Sequence, residues 1–296
     1  MKLKNNIKKD YLYLFLSSAS LSNAIWVLYL AYKGMSLVEI GLLESIFHLT
    51  SFTMELPTGI VADCFGRKTS RIVGRIMAFL STLLMIQTAS FTGFAIAFVI
   101  QALAYNLESG AGDALIYDTL LTLHEEGDYM KIKGRQEWSY QGASVFGMLI
   151  GGYTATFSYE LAYLITLGIN LLALIQAFSF VEPTLHQTSD DRPLSLSSHL
   201  KNSVKAIKNN RHILTYVFFI EGFSVLYTTT YFYIQNYFKT TGHSEFWIGT
   251  LIAFASLVSL LTSTKAYKIE GFLGRKALIF SAGLMALTLF ALVAFT

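Results

Sequence analysis

The chain has 296 residues, 53% of them hydrophobic and 14% charged, with a mean hydropathy of +0.49 and a formal net charge of +3. Soluble domains carry about 25% charged residues, and the charges here cluster, leaving long windows almost free of them. A soluble globular domain is therefore excluded; the chain reads as a polytopic membrane protein, since about 20 apolar residues cross the hydrocarbon as a helix.

Apolar runs in chain order predict nine spans, at 11–32, 38–60, 71–91, 94–122, 136–158, 160–181, 213–237, 246–265 and 277–296. They are long runs and not roughly 10-residue alternating segments, so an all-α protein is expected and not a barrel. Each helix satisfies its own backbone in lipid. The cations test the topology. With the N-terminus in the cytoplasm, the inner segments hold Lys2–Lys9, Arg67–Arg75, Lys131–Arg135, Arg192–Arg211 and Lys265–Lys276, which together carry 20 of the 22 lysines and arginines. Only Lys33 and Lys239 fall outside. The net charge thus reflects topology and gives no reason to expect a nucleic-acid partner.

The basic start followed by Tyr11–Ala24 is similar to a signal peptide, but the apolar run continues through Leu30, too far for an h-region. An uncleaved first span is expected, in a multi-pass protein of the cytoplasmic membrane. Cys64, the single cysteine, lies in an inner loop and is expected to be a free reduced thiol.

Between spans two and three the sequence Pro57-Thr58-Gly59-Ile60-Val61-Ala62-Asp63-Cys64-Phe65-Gly66-Arg67-Lys68 sets a carboxylate, two glycines and two cations in one short segment. Gly59 offers an end for helix two, and Gly66 a turn conformation closed to residues with a Cβ. Asp63 is suited to a helix N-terminus and Arg67 to forking onto a carboxylate. A weaker copy, Glu270 with Gly274, Arg275 and Lys276, follows span eight, and Gly66 and Gly274 are 208 residues apart. Spans seven to nine then repeat spans one to three, and a second set of six lacks three helices. A C-terminally truncated chain is expected, with a six-helix N-terminal bundle at 1–181, a cytoplasmic linker with a basic amphipathic helix at 182–212, and an incomplete three-helix C-terminal bundle at 213–296. A plain solvated linker is the alternative for 182–212.

These residues resemble the major facilitator superfamily, whose loop between helices two and three has the form G-x-x-x-D-x-x-G-R-K/R. Gly59, Asp63, Gly66, Arg67 and Lys68 match it. The resemblance implies two six-helix halves and a gating role for this loop, with Arg67 also reaching Asp118 at the inner end of span four. Span five carries Gly142, Gly147, Gly151 and Gly152. Drug:proton antiporters of the family have a glycine-rich signature there, usually with a proline that this chain lacks; close helix packing is the other reading of these glycines.

Acids inside spans face the bundle interior or water. Glu44, in register with His48 and Glu55, Glu108 and Asp113 on span four, and Glu221 on span seven are the candidates for proton exchange or substrate contact; an acid paired with a polar neighbour is the alternative for each. Trp26, Tyr227 and Tyr231 either line a cavity or anchor the interface. His124-Glu125-Glu126 lacks a second histidine, and neither a P-loop nor G-x-S-x-G is present. No metal, cofactor or enzyme activity is expected. The sequence points to a monomeric secondary transporter whose partners are a small-molecule substrate, protons and the lipid bilayer. Proton-coupled efflux of drug-like molecules leads, with proton-coupled nutrient uptake or a truncated, non-transporting fragment as alternatives.

Overall fold

A computed structural model describes residues 3–183, 211–263, 271–272 and 274. They form α-helices: α1 (Asn5–Ser18), α2 (Trp26–Tyr32), α3 (Leu37–Phe65), α4 (Arg67–Gln87), α5 (Phe91–Leu123), α6 (Tyr129–Ala155), α7 (Tyr159–Phe178), α8 (Arg211–Thr240) and α9 (Glu245–Ser263). Short 3₁₀ turns join α1 to α2 (Leu21–Ala24) and α5 to α6 (Glu126–Asp128). No strand occurs among the described residues. The expected last span at 277–296 and the linker helix lie outside them.

The described residues divide into two units, residues up to 183 with His243–Val258, and α8 with the residues from Ser259 onward. In the first unit α4 and α3 pack on α5, α6 packs on α1, and α7 packs on α4 and α1. Serine caps start three of the helices. Ser36 and Glu39 form a capping box on α3, and Ser90 and Ser158 accept the N–H of Gly93 and Leu161.

Five described helices are long and apolar enough to cross a membrane, and α1 with α2 makes a sixth as one span bent by 45°. This is the first departure from the sequence reading, which drew 11–32 as one unbroken helix. Ser17, Ser18, Ser20, Ser22 and Asn23 crowd this point, and such side chains compete with the helix for backbone groups. Ser17 Oγ donates to the Leu14 carbonyl, and the Leu21 N–H donates to Thr166 Oγ1 of α7 at 3.1 Å. Helices α6 and α8, expected at 136–158 and 213–237, are present as Tyr129–Ala155 and Arg211–Thr240.

The second departure is at Gly59. Helix α3 runs past it, through Pro57, to Phe65 and ends at Gly66 instead. Gly59 is exposed and nothing stands within 4 Å of where its Cβ would be, so it marks no helix end and no close approach.

Candidate functional site

Arg67, Arg71 and Arg75 follow one another at four-residue spacing along α4, so they share one face of that helix. Each meets a carboxylate, and the three pairs build two adjacent clusters.

The first cluster surrounds the turn between α3 and α4. Gly66 has φ 93°, and a Cβ there would stand 2.8–3.0 Å from the carboxyl of Glu182. Backbone angle and space both require glycine at this position. Glu182 Oε1 accepts the Arg67 N–H at 2.7 Å and Oε2 accepts the Lys68 N–H at 2.8 Å. The sequence suggested Asp63 for a helix N-terminus; Glu182 fills that place on α4, and Asp63 instead takes Arg67 Nη1 at 2.5 Å. Arg67 Nε stands 3.8 Å from Asp118 Oδ2, an ion-pair separation too long for a hydrogen bond. In the second copy, Gly274 also has positive φ, at 75°; Glu270, Arg275 and Lys276 lie outside the described residues.

The second cluster lies inside the bundle. Arg71 Nη1 donates to Asp10 Oδ1 at 2.6 Å, and Gln136 Nε2 of α6 donates to the other oxygen, also at 2.6 Å. The Arg71 guanidinium lies 4.1 Å from the ring centre of Tyr13 and 4.7 Å from that of Phe180. One turn on, Arg75 Nη2 reaches Glu108 at 2.6 Å. Tyr13 Oη donates to the same carboxylate at 2.6 Å, and Arg75 Nη1 donates to Asn170 Oδ1 at 3.2 Å. Asn170 Nδ2 continues to Thr82 Oγ1 at 3.0 Å.

These side chains border a cavity of about 310 Å³ between α1, α4, α5 and α6. Asp10, Arg71, Arg75, Gln101, Tyr105, Glu108, Asp113, Gln136 and Tyr140 line it. Glu108 keeps 17% of its side chain open.

The remaining sequence candidates are placed as follows. Asp113 lines the cavity, is half exposed and is paired with Lys133 at 2.5 Å. Glu44 Oε1 stands 3.2 Å from His48 Nε2 on the same face of α3, as the four-residue spacing implied. Trp26 packs at 5.9 Å on Phe98, and Tyr231 sits at the same separation from Phe232. The side chains of Glu221 and Tyr227 lie outside the described residues.

Glycines 147, 151 and 152 of α6 lie at close backbone approaches. A Cβ on Gly147 would meet the Ser20 carbonyl oxygen at 2.8 Å, and one on Gly151 would run into the Leu21 carbonyl. Gly152 faces the Glu245 carbonyl and Gly249 of α9. Gly142 meets nothing within 4 Å, so it does not take part in this packing.

Asp10, Tyr13, Gln136, Asn170 and Glu182 escaped the sequence reading. Asp10 follows Lys8 and Lys9 and looks like part of a solvated end; Glu182 looks like the first residue of a polar linker. The arginine stripe of α4, running from the loop into an apolar span, was the available signal that buried acids must exist elsewhere.

An all-helical fold among the described residues, with several helices long and apolar enough to cross a membrane and paired charges enclosed between them, defines a polytopic helical membrane protein. The chain matches the Major Facilitator Superfamily over residues 11–296 and belongs to it. It is 25% identical over 252 residues to an uncharacterized MFS-type transporter, YxaM, of Bacillus subtilis (strain 168), a match covering 83% of this chain and 61% of that protein. The chain thus spans less than two thirds of that relative's length. Among solved structures it resembles a mutant of the nucleoside transporter NupG, with TM-score 0.74 and 14% identity over 93% of this chain and 69% of that one. It also resembles a D-xylose-proton symporter, with TM-score 0.59 and 15% identity over 90% and 69% of the two chains. At such identities the likeness shows the fold alone.

Proposed function

We propose that the chain serves proton-coupled movement of a small polar solute by alternating access, with Glu108 as the group that exchanges protons. The observation that carries this reading is the cavity in which Glu108, Arg75 and Tyr13 meet beside Asp10, Arg71 and Gln136. A lining so rich in hydrogen-bonding side chains suits a hydrophilic solute better than a lipophilic one. In this reading the segment from Gly59 to Lys68, the last turns of α3 and the start of α4, is the inner gate together with Asp118, and Gly274 marks its counterpart in the second half. The protein acts as a monomer in the cytoplasmic membrane with its N-terminus inside.

Export of drug-like molecules is the second reading, favoured by the glycines of α6 at the place of the antiporter signature. Close packing accounts for Gly147, Gly151 and Gly152 without it.

The test is transport by the chain in proteoliposomes under an imposed inward proton gradient. Accumulation of a labelled nucleoside or pentose, abolished by a protonophore, is expected; the fold relatives described as a nucleoside transporter and a D-xylose-proton symporter suggest these probes. Gradient-driven movement of a lipophilic cationic dye out of the compartment facing the substrate side, with no solute accumulation, would favour the second reading. Movement of none of these would refute both.

A further inference from the structure

We infer that Glu182, held in place through Asn6, is the anchor of the turn between α3 and α4, tying that turn to the segment that follows α7. The inference rests on the reading of this turn as a gate.

Helix α4 has no cap of its own. Its N-cap is Gly66, which lacks a side chain, and no side-chain cap bond is made locally. The carboxylate that satisfies its first N–H groups comes from Glu182, 115 residues away in sequence. Both oxygens are used, one on Arg67 N–H and one on Lys68 N–H. An anion at this helix end also complements the positive end of the helix dipole.

Glu182 is placed with the same care. Asn6, with 0% of its surface exposed, donates from Nδ2 to the Val181 carbonyl at 2.7 Å and accepts the Val181 N–H on Oδ1 at 3.0 Å. The same Nδ2 lies 3.2 Å from Thr119 Oγ1. Lys9 donates to the Ser179 carbonyl, and Phe180 is buried edge-on to Tyr13. Val181 precedes Glu182, and Thr119 follows Asp118. One amide therefore fixes the neighbours of both carboxylates that approach the Arg67 residue from outside its own turn.

If this is so, releasing Glu182 loosens residues 63–68 while the bundle stays folded. Cys64, exposed and the single cysteine, lies in the last turn of α3 and not in a loop as the sequence suggested, and is a native reporter beside the Gly66 turn. The experiment attaches a nitroxide to Cys64 in the full chain in proteoliposomes and records its mobility without substrate. Glu182→Ala is expected to shorten the label's correlation time about twofold or more, as local opening of a weakly held segment does. Asn6→Ala, which touches neither the turn nor the label, should give the same change. Glu182→Gln keeps the length and one good acceptor and should fall between. Lys4→Ala, which removes only the exposed pair with Glu125, should leave the spectrum unchanged. Helicity and monodisperse elution identify any variant that fails to fold, and Glu182→Gln then carries the test. Spectra of Glu182→Ala and Asn6→Ala, or of Glu182→Gln where those do not fold, superimposable on the parent would overturn the inference. Because the readout involves neither protons nor solute, it stands or falls separately from the coupling role of Glu108.

Discussion

Asp10 and Arg71 form an ion pair of 2.6 Å with side chains only 1% and 2% exposed. Neither charge has water as a fallback. Removing one partner leaves the other buried and uncompensated, which costs about 3–5 kcal/mol, whereas replacing both with apolar residues of similar volume is often nearly neutral. Asp10→Ala and Arg71→Met should each lower stability by that amount, measured by thermal unfolding in detergent. Asp10→Leu combined with Arg71→Met should recover most of the loss, giving a coupling energy of a few kcal/mol in the double-mutant cycle, of the size found for contacting groups. Single variants as mild as Lys4→Ala would show that the pair is not buried as described.

Residue chemistry explains which parts of this arrangement were legible beforehand. Span positions follow from long apolar runs, and the turn at Gly66 follows from a glycine placed between a carboxylate and two cations. Helix register was equally readable, which is why Glu44 and His48 fall on one face of α3 as their spacing implies. Tertiary partners were not. Asp10 differs from a solvated acid only because α4 delivers Arg71 to it across 61 residues of sequence, and no local pattern encodes that meeting. The break after Ser18 was hidden for a related reason. Hydropathy averages over the serines, while the event that stabilises the break is Thr166 of α7 accepting the Leu21 N–H.

The glycines of α6 separate close approach from mere composition. Gly151→Ala drives a methyl group onto the Leu21 carbonyl, and Gly152→Ala places one 2.7 Å from the Glu245 carbonyl oxygen. Backbone cannot step aside as a flexible side chain does, so each substitution should cost about 1–3 kcal/mol. Gly142→Ala meets open space and gains the better helix propensity of alanine, worth at most about 1 kcal/mol. Melting temperatures of the three variants should therefore fall, fall, and hold or rise. A destabilised Gly142→Ala would contradict the open surroundings of that position.

Lys33, one of the two cations on the outer side of the expected topology, follows α2 and is paired at 3.0 Å with Glu160 in the first turn of α7. The hydrogen bond to Glu160 raises its pKa above the ordinary lysine value of 10.5. Because the folded value is raised, the stabilisation is complete below that ordinary value and disappears as the pH climbs through the raised one. The pair remains partly exposed, so its worth is about 0–1 kcal/mol. The difference in stability between the parent and Lys33→Met should stay constant from pH 6 to 9, ordinary assay conditions well below the lysine range. It should shrink only in strongly alkaline buffer. A difference that varies across neutral pH would assign the effect to another group.

Glu108 and Asp113 lie on the same helix and border the same cavity, yet their surroundings give them different expected roles. Asp113 is half exposed and closed off by Lys133, so its charge is matched by a flexible surface cation. Glu108 is enclosed, and its partners Arg75 and Tyr13 belong to a network that reaches Asn170 and Thr82. Glu108→Gln preserves the shape and an acceptor oxygen for Tyr13 and Arg75 but removes the titration. Gradient-driven accumulation should drop by about tenfold or more, in line with the loss of a group that transfers protons. Exchange of labelled for unlabelled solute at equal concentrations needs no net proton movement and should persist. Asp113→Asn should leave both measurements within about twofold of the parent, the range left when only a partly exposed ion pair is lost. Undiminished accumulation in Glu108→Gln would remove Glu108 from the coupling step. Loss of exchange together with accumulation would make it a binding or structural residue instead.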